Sequence, residues 1–165
     1  MPTDSAVEAV RSSLGLQLFA ILAAIFAPIW WAMTFSLLIY KITFLRYPPT
    51  AFGFEIVSTA LVWITQAGAV TFIKRGNLTE NPPFLALGVG FAVVTAGGAA
   101  YYMYGQTYVM MLDLGFSATM VAINGILILG GVFTMQSFGG ENAQVLAQQH
   151  QQQAQQGSAK HQKSE

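Results

Sequence analysis

The chain has 165 residues, 54% of them hydrophobic and only 8% charged, with seven basic and seven acidic side chains and no net charge. Water-soluble domains carry about 25% charged residues, so this composition excludes an ordinary soluble domain, and the neutral balance excludes the basic footprint of a nucleic-acid binder. Cysteine is absent, which removes disulfides, thiolate catalysis, cysteine zinc sites and palmitoylation together and calls for short extracytoplasmic loops.

The first residues, 1–13, contain two acids and lack the basic n-region and small-residue cleavage pattern of a removable signal peptide. They are expected to form a short cytoplasmic segment ahead of a retained signal anchor. Between Arg11 and Glu141 only seven charges occur, at Lys41, Arg46, Glu55, Lys74, Arg75, Glu80 and Asp113. They divide the chain into four blocks long enough to cross a bilayer, since about 20 apolar residues span about 30 Å of hydrocarbon. The expected fold is therefore all-α, a polytopic four-helix transmembrane bundle with short loops.

The first span is expected over about 14–40, with Pro28 inside it as a source of a kink and Trp30 and Trp31 just beyond as packing residues. A polar turn from Lys41 to Thr50 holds Arg46-Tyr47-Pro48-Pro49, where paired prolines stop a helix. The second span, about 51–73, contains Glu55 one turn in and Gln66 near its middle, both costly in lipid. Lys74-Arg75-Gly76-Asn77 then reads as a helix end, with cations at the negative pole and a glycine or asparagine suited to a left-handed cap.

Asn81 as cap and Pro82 or Pro83 at the first helical position open the third span, about 83–104. Along it Gly88, Ala92, Ala96 and Ala100 recur every four residues as a small-residue packing stripe, open either to a helix of the same chain or to a partner. Tyr101, Tyr102, Tyr104 and Tyr108 cluster where that span leaves the hydrocarbon, as in an interfacial aromatic belt. A tight turn with Asp113 and Gly115 leads to the fourth span, about 116–136, in which Asn124 is expected to bond to a neighbouring helix.

Nine of the nineteen residues in 144–162 are glutamine. Residues 139–165 are expected to form a disordered cytoplasmic tail or a frayed extension of the last helix, and glutamine bias favours self-association, so a homo-oligomer is among the expected states.

The N-terminal segment, the second loop and the tail share one side and hold more Lys and Arg than the other two loops, which places both termini in the cytoplasm. Glu55, Asp113, Lys41 and Arg46 then form one shallow layer at the extracytoplasmic end, expected as a partly hydrated charge cluster. Asn77-Leu78-Thr79 is a glycosylation sequon on the cytoplasmic side, so no glycan is expected there. Both histidines, His150 and His161, lie in the tail, and no metal-ligand spacing, phosphate loop or intramembrane base occurs. No catalytic residue, cofactor or metal is expected.

Tyr40-Lys41 with Leu45, Tyr47 and Pro48, then Lys74-Arg75-Gly76-Asn77-Leu78, Tyr101-Tyr102, Gln106-Thr107-Tyr108-Val109 and Asn124-Gly125-Ile126-Leu127 follow one another in an order that resembles the small four-span proteins of the ciliary transition zone, the transmembrane protein 17 family. The resemblance covers about residues 14–138 and departs from the family pattern at Gln66, where that pattern has an acid with a base one turn on. It implies a non-enzymatic scaffold at the base of the cilium that helps to assemble the ciliary gate, in the lipid bilayer beside other transition-zone membrane, B9-domain and tectonic-type proteins. The competing reading is a small transporter or channel subunit acting as an oligomer, with Gln66, Asn124, Glu55 and Asp113 lining a path.

Overall fold

The computed structural model describes the backbone of residues 13–162 and the side chains of residues 13–138. Four helices follow one another: α1 (Leu14–Phe44), α2 (Pro49–Leu78), α3 (Pro82–Tyr104) and α4 (Met111–Gln162), the last of membrane-crossing composition over Met111–Phe138. Even the shortest, 23 residues, is about 35 Å long at 1.5 Å per residue. That exceeds the hydrocarbon thickness. The protein is an integral multi-pass membrane protein.

The helices outrun their apolar blocks at both ends. Lys41 lies within the last turn of α1 rather than in a loop, and Asp113 lies in the first turn of α4 rather than in the turn before it. Helix α2 also continues past Gly76 and Asn77 to Leu78, so the expected left-handed cap at either residue does not form; Thr79 is the cap and Glu80 takes the positive φ of 49°. Asn81 and Pro82 open α3, with the Asn81 side chain accepting from the Phe84 N–H at 3.5 Å. Helix α1 starts on Ser13, whose hydroxyl accepts from the Leu16 N–H at 3.3 Å, and it runs through Pro28 as one helix. The helical backbone of α4 continues to Gln162 through the glutamine-rich stretch. The N-terminal segment before Ser13, and the side chains of the tail, lie outside the described residues.

The helices form a ring in which α1 meets α2 and α4, and α3 meets α2 and α4. Inward residues of α1, Leu16, Ala20, Ala23, Ala27, Trp30, Thr34, Leu38 and Lys41, step by three or four as one helical face. The faces are sorted opposite to those of a soluble bundle. Thr34, Lys41, Glu55, Thr59, Gln66, Asn77, Thr95, Ser117 and Asn124 are buried, while Leu18, Ile25, Ile29, Leu61, Ile64, Val94, Leu129 and Phe133 point outward. In lipid, apolar contact gains nothing by facing inward, so packing and polar bonds select the interior.

Two apolar clusters fill that interior. One lies toward the α2–α3 turn and includes Leu16, Ala20, Ala69, Ile73, Leu85, Ala92, Leu127 and Phe138. The other, farther along, joins Trp30, Val62, Ala99, Tyr102 and Met120. Trp30 stands edge-on to Tyr102, ring centroids 5.4 Å apart, and its indole N–H donates to the Ser117 hydroxyl at 3.2 Å. Above this cluster, at the end where α1 gives way to α2 and α3 to α4, the interior turns polar.

Candidate functional site: a buried polar layer

Four side chains from three helices and one loop meet at that end. Lys41 comes from the last turn of α1, Glu55 from the second turn of α2, Asp113 from the first turn of α4, and Gln106 from the α3–α4 loop. Lys41 and Glu55 are fully buried and Asp113 nearly so. The Lys41 ammonium donates to Asp113 Oδ2 at 2.5 Å and to Gln106 Oε1 at 2.8 Å. Gln106 passes the connection on, its Nε2 donating to Glu55 Oε2 at 3.5 Å. Backbone N–H groups add to the set: Thr107 donates to Glu55 Oε1 at 3.3 Å and Met110 to Asp113 Oδ2 at 3.1 Å, while Asp113 Oδ1 is buried without a partner.

A charge removed from water costs several kcal/mol unless it is paired and hydrogen-bonded, and here the two acids share one cation through the Gln106 amide. A primary amide suits this place because its oxygen accepts from the ammonium while its nitrogen donates to the second carboxylate. Asp113 also sits at a helix N-terminus, where a negative charge is favoured by the exposed N–H groups.

Below the carboxylates lies a knot of hydroxyls. The Glu55 carbonyl oxygen accepts from Thr59 at 2.7 Å, Tyr102 at 2.9 Å and Ser58 at 3.1 Å. Tyr102 is also within 2.6 Å of the Thr59 hydroxyl and 2.7 Å of that of Ser58. Helix α2 is thereby bonded to α3 at the residue that carries the acid. Tyr47, in the loop between α1 and α2, closes the layer from outside: its ring lies 5.6 Å from that of Tyr108, and Tyr108 donates to the Arg46 carbonyl at 3.2 Å. Burial, then the nearby Glu55 carboxylate, push the Tyr47 phenol well above the usual range.

Several expectations change with this geometry. The charged members of the layer are buried inside the bundle rather than set at its rim, and Arg46 stays outside it with an exposed side chain, contributing its carbonyl. The four tyrosines do not form one belt: Tyr102 is buried, Tyr101 is half-buried against Phe54, Tyr108 packs on Tyr47, and Tyr104 is 79% exposed. Asn124 bonds within its own helix, to the Met120 carbonyl at 2.9 Å, and its Oδ1 is buried without a partner.

A scan against family models places residues 18–124 within Transmemb_17, described as "Predicted membrane protein". The chain belongs to this family. Transmembrane protein 216 of Homo sapiens is 27% identical over 114 residues, covering 66% of this chain and 79% of that protein. Transmembrane protein 216 of Danio rerio is 25% identical over 135 residues, covering 82% and 84%. No solved structure matches significantly.

The remaining residues singled out in this Transmemb_17 chain fall in three places. At the layer's edge, Pro48 caps α2 and Tyr40 stacks outward on Phe44 at 4.8 Å. At the opposite end, Asn77 Oδ1 accepts from the Ser13 N–H at 2.9 Å and its Nδ2 donates to the Ser13 carbonyl at 3.0 Å. A Cβ on Gly76 would stand 2.6 Å from the Leu85 nitrogen and one on Gly88 2.7 Å from the Ile73 nitrogen, while Leu78 is exposed. Along α3, the small-residue stripe begins on the buried face at Gly88 and Ala92, but that face then follows Thr95, Ala99 and Tyr102, leaving Ala96 and Ala100 at its margin. A strict four-residue step advances 400°, so each repeat drifts about 40° around a helix of 3.6 residues per turn. A Cβ on Gly125 would meet nothing within 4 Å.

Sequence reasoning located Glu55 by its cost in lipid, Lys41 and Asp113 as charges that interrupt apolar blocks, and Gln106 and Thr107 by resemblance. It missed the hydroxyls of Ser58 and Thr59, whose signal is their position three and four residues after Glu55, on the same helical face.

Proposed function

We propose that this protein is a non-enzymatic scaffold subunit of the ciliary transition zone, with both termini in the cytoplasm, which helps to assemble the ciliary gate beside other membrane, B9-domain and tectonic-type proteins. Membership of Transmemb_17 over residues 18–124 supports the reading, as does the sequence resemblance to transition-zone proteins. The observation that carries it is the use made of polar positions on which the resemblance rests: Lys41, Tyr102 and Gln106 bond to other parts of the same chain. Such bonds fix the outline of the bundle, which is what a scaffold must present to its neighbours.

The test is the address of the protein at its native expression level. A tagged chain in ciliated cells is expected as a narrow ring at the ciliary base, copurifying with transition-zone components. Even staining of the plasma membrane would overturn the proposal. For orientation, a protease applied to intact cells is expected to spare tags at both termini, and Asn77 is expected to carry no glycan. The transporter reading draws on Gln66 and Asn124, polar and buried at membrane depth. It requires flux through reconstituted vesicles that Glu55→Ala abolishes, and flux equal to that of empty vesicles removes it.

A further inference from the structure

Gln66 is fully buried in the middle of α2, yet neither its amide oxygen nor its amide nitrogen has a hydrogen-bond partner. An amide buried without partners has lost its water and recovered nothing in exchange. It forms the floor of a cleft of about 310 Å³ between α1 and α2, walled by Ala24, Ala27 and Pro28 on one side and by Trp63, Ala67 and Thr71 on the other. Pro28 has no N–H to offer the carbonyl of Ala24 four residues earlier, so that carbonyl lacks its usual intrahelical donor. No Asp, Glu, Lys or Arg lines the cleft.

We propose that this cleft is a binding site for an uncharged lipid bearing a single hydroxyl. Such a group donates one hydrogen bond and accepts others, matching an amide that offers both a donor and an acceptor. The outer torsion of a glutamine is broad, so a rotation of the buried Gln66 amide is all that is needed to present it to a ligand in the cleft. An anionic headgroup is disfavoured because no cation is present to meet it. It is also excluded by depth: Gln66 lies seven residues from Ile73, about 10 Å below the end of the apolar stretch at 1.5 Å per residue. The alanines, the proline ring and the indole present a smooth apolar wall, suited either to the flat rings of a sterol or to the chain of a long-chain alcohol.

The full chain in nanodiscs, illuminated with a photoreactive sterol or a photoreactive long-chain alcohol, is expected to be labelled by one of them within residues 24–28 or 63–71. Which probe succeeds distinguishes the two sources of the hydroxyl. Labelling should fall about five- to tenfold when the probe's hydroxyl is capped as a methyl ether, and equally in Gln66→Leu, as for the loss of one well-made hydrogen bond. Ala67→Phe, which fills the cleft and keeps the amide, should also abolish it. Gln66→Leu removes an unsatisfied group and is expected to fold, as heat denaturation in hydroxyl-free detergent checks. Labelling that ignores the methyl cap, labelling retained in Gln66→Leu, or crosslinking of a second copy through this face in place of lipid would each overturn the proposal.

Discussion

At the end of the bundle where α1 turns into α2 and α3 into α4, the helices are joined by side chains that reach across: an ammonium, two carboxylates, an amide and three hydroxyls, buried and mutually bonded. At the opposite end they are joined by the absence of side chains. There Gly76 and Gly88 let the backbones of α2 and α3 approach until no Cβ would fit, and Asn77 grips both backbone polar groups of Ser13. Polar bonds gain strength in a medium with little water, but only while every partner is present. Close packing loses by degrees. The first end should therefore fail abruptly when one member is removed, and the second in proportion to the volume added.

The sharpest way to break the contrast is at Lys41. Lys41→Met leaves Asp113 and Glu55 buried without a cation, and removing one member of a buried pair costs about 3–5 kcal/mol. The measurement is unfolding by added denaturing detergent, followed by the fluorescence of Trp30 and its neighbours. The double variant Lys41→Met with Asp113→Leu is expected to recover a large part of the loss, because an apolar pair of similar volume is often as stable as a buried ion pair. A double variant no better than the single would mean that the cluster acts through something other than charge pairing.

At the glycine end the expected losses are smaller and graded. Gly76→Ala and Gly88→Ala each place a Cβ within 2.6–2.7 Å of heavy atoms on the partner helix, forcing a shift of the kind that costs about 1–3 kcal/mol. Gly88→Val should cost more than Gly88→Ala in the same assay. Equal effects of the two would contradict a contact limited by volume.

How much of this was legible follows from the kind of signal each feature leaves. The four spans were plain, because charges interrupt apolar blocks and lipid tolerates neither unpaired backbone nor stray charge. For the same reason Lys41, Glu55 and Asp113 stood out. That they share one layer follows from the alternation of four spans; which acid meets Lys41 does not, since nothing in the order of residues says that α1 ends beside the start of α4. Helix ends were misplaced for a physical cause as well: a charged residue stays helical when it has a buried partner, so Lys41 and Asp113 lie inside helices that hydropathy alone would have stopped. Gly76 resembled a cap because a glycine after two cations usually is one; its neighbour in space, Leu85, gives it a different task. The stripe on α3 was readable over one repeat and then lost register, as 3.6 residues per turn require.

Asn77 offers an intermediate case, polar in chemistry yet placed at the glycine end. Asn77→Ala removes two hydrogen bonds to Ser13, at about 0.5–1.5 kcal/mol each, and should act on α1 more than on the bundle. Faster amide exchange over the first turn of α1, with little change at Tyr102, is the expected pattern. Uniform loss of protection would argue that the first turn of α1 and the polar layer unfold as one unit.

The smallest effects belong to residues that resemble important ones but touch little. A Cβ on Gly90, two residues along α3 from Gly88, would meet nothing within 4 Å, so Gly90→Ala should be neutral or stabilising by up to about 1 kcal/mol through helix propensity. Arg46 bears a charge beside the polar layer but contributes its carbonyl alone, and Arg46→Ala should lie within about 0.5 kcal/mol of the parent. Paired with Gly88→Ala and Lys41→Met in the same unfolding assay, these two variants separate composition from placement: a glycine in this bundle matters where a backbone crosses it, and a cation where a carboxylate is buried against it. Were Arg46→Ala as damaging as Lys41→Met, charge near the membrane surface would outweigh the bonds drawn between these side chains.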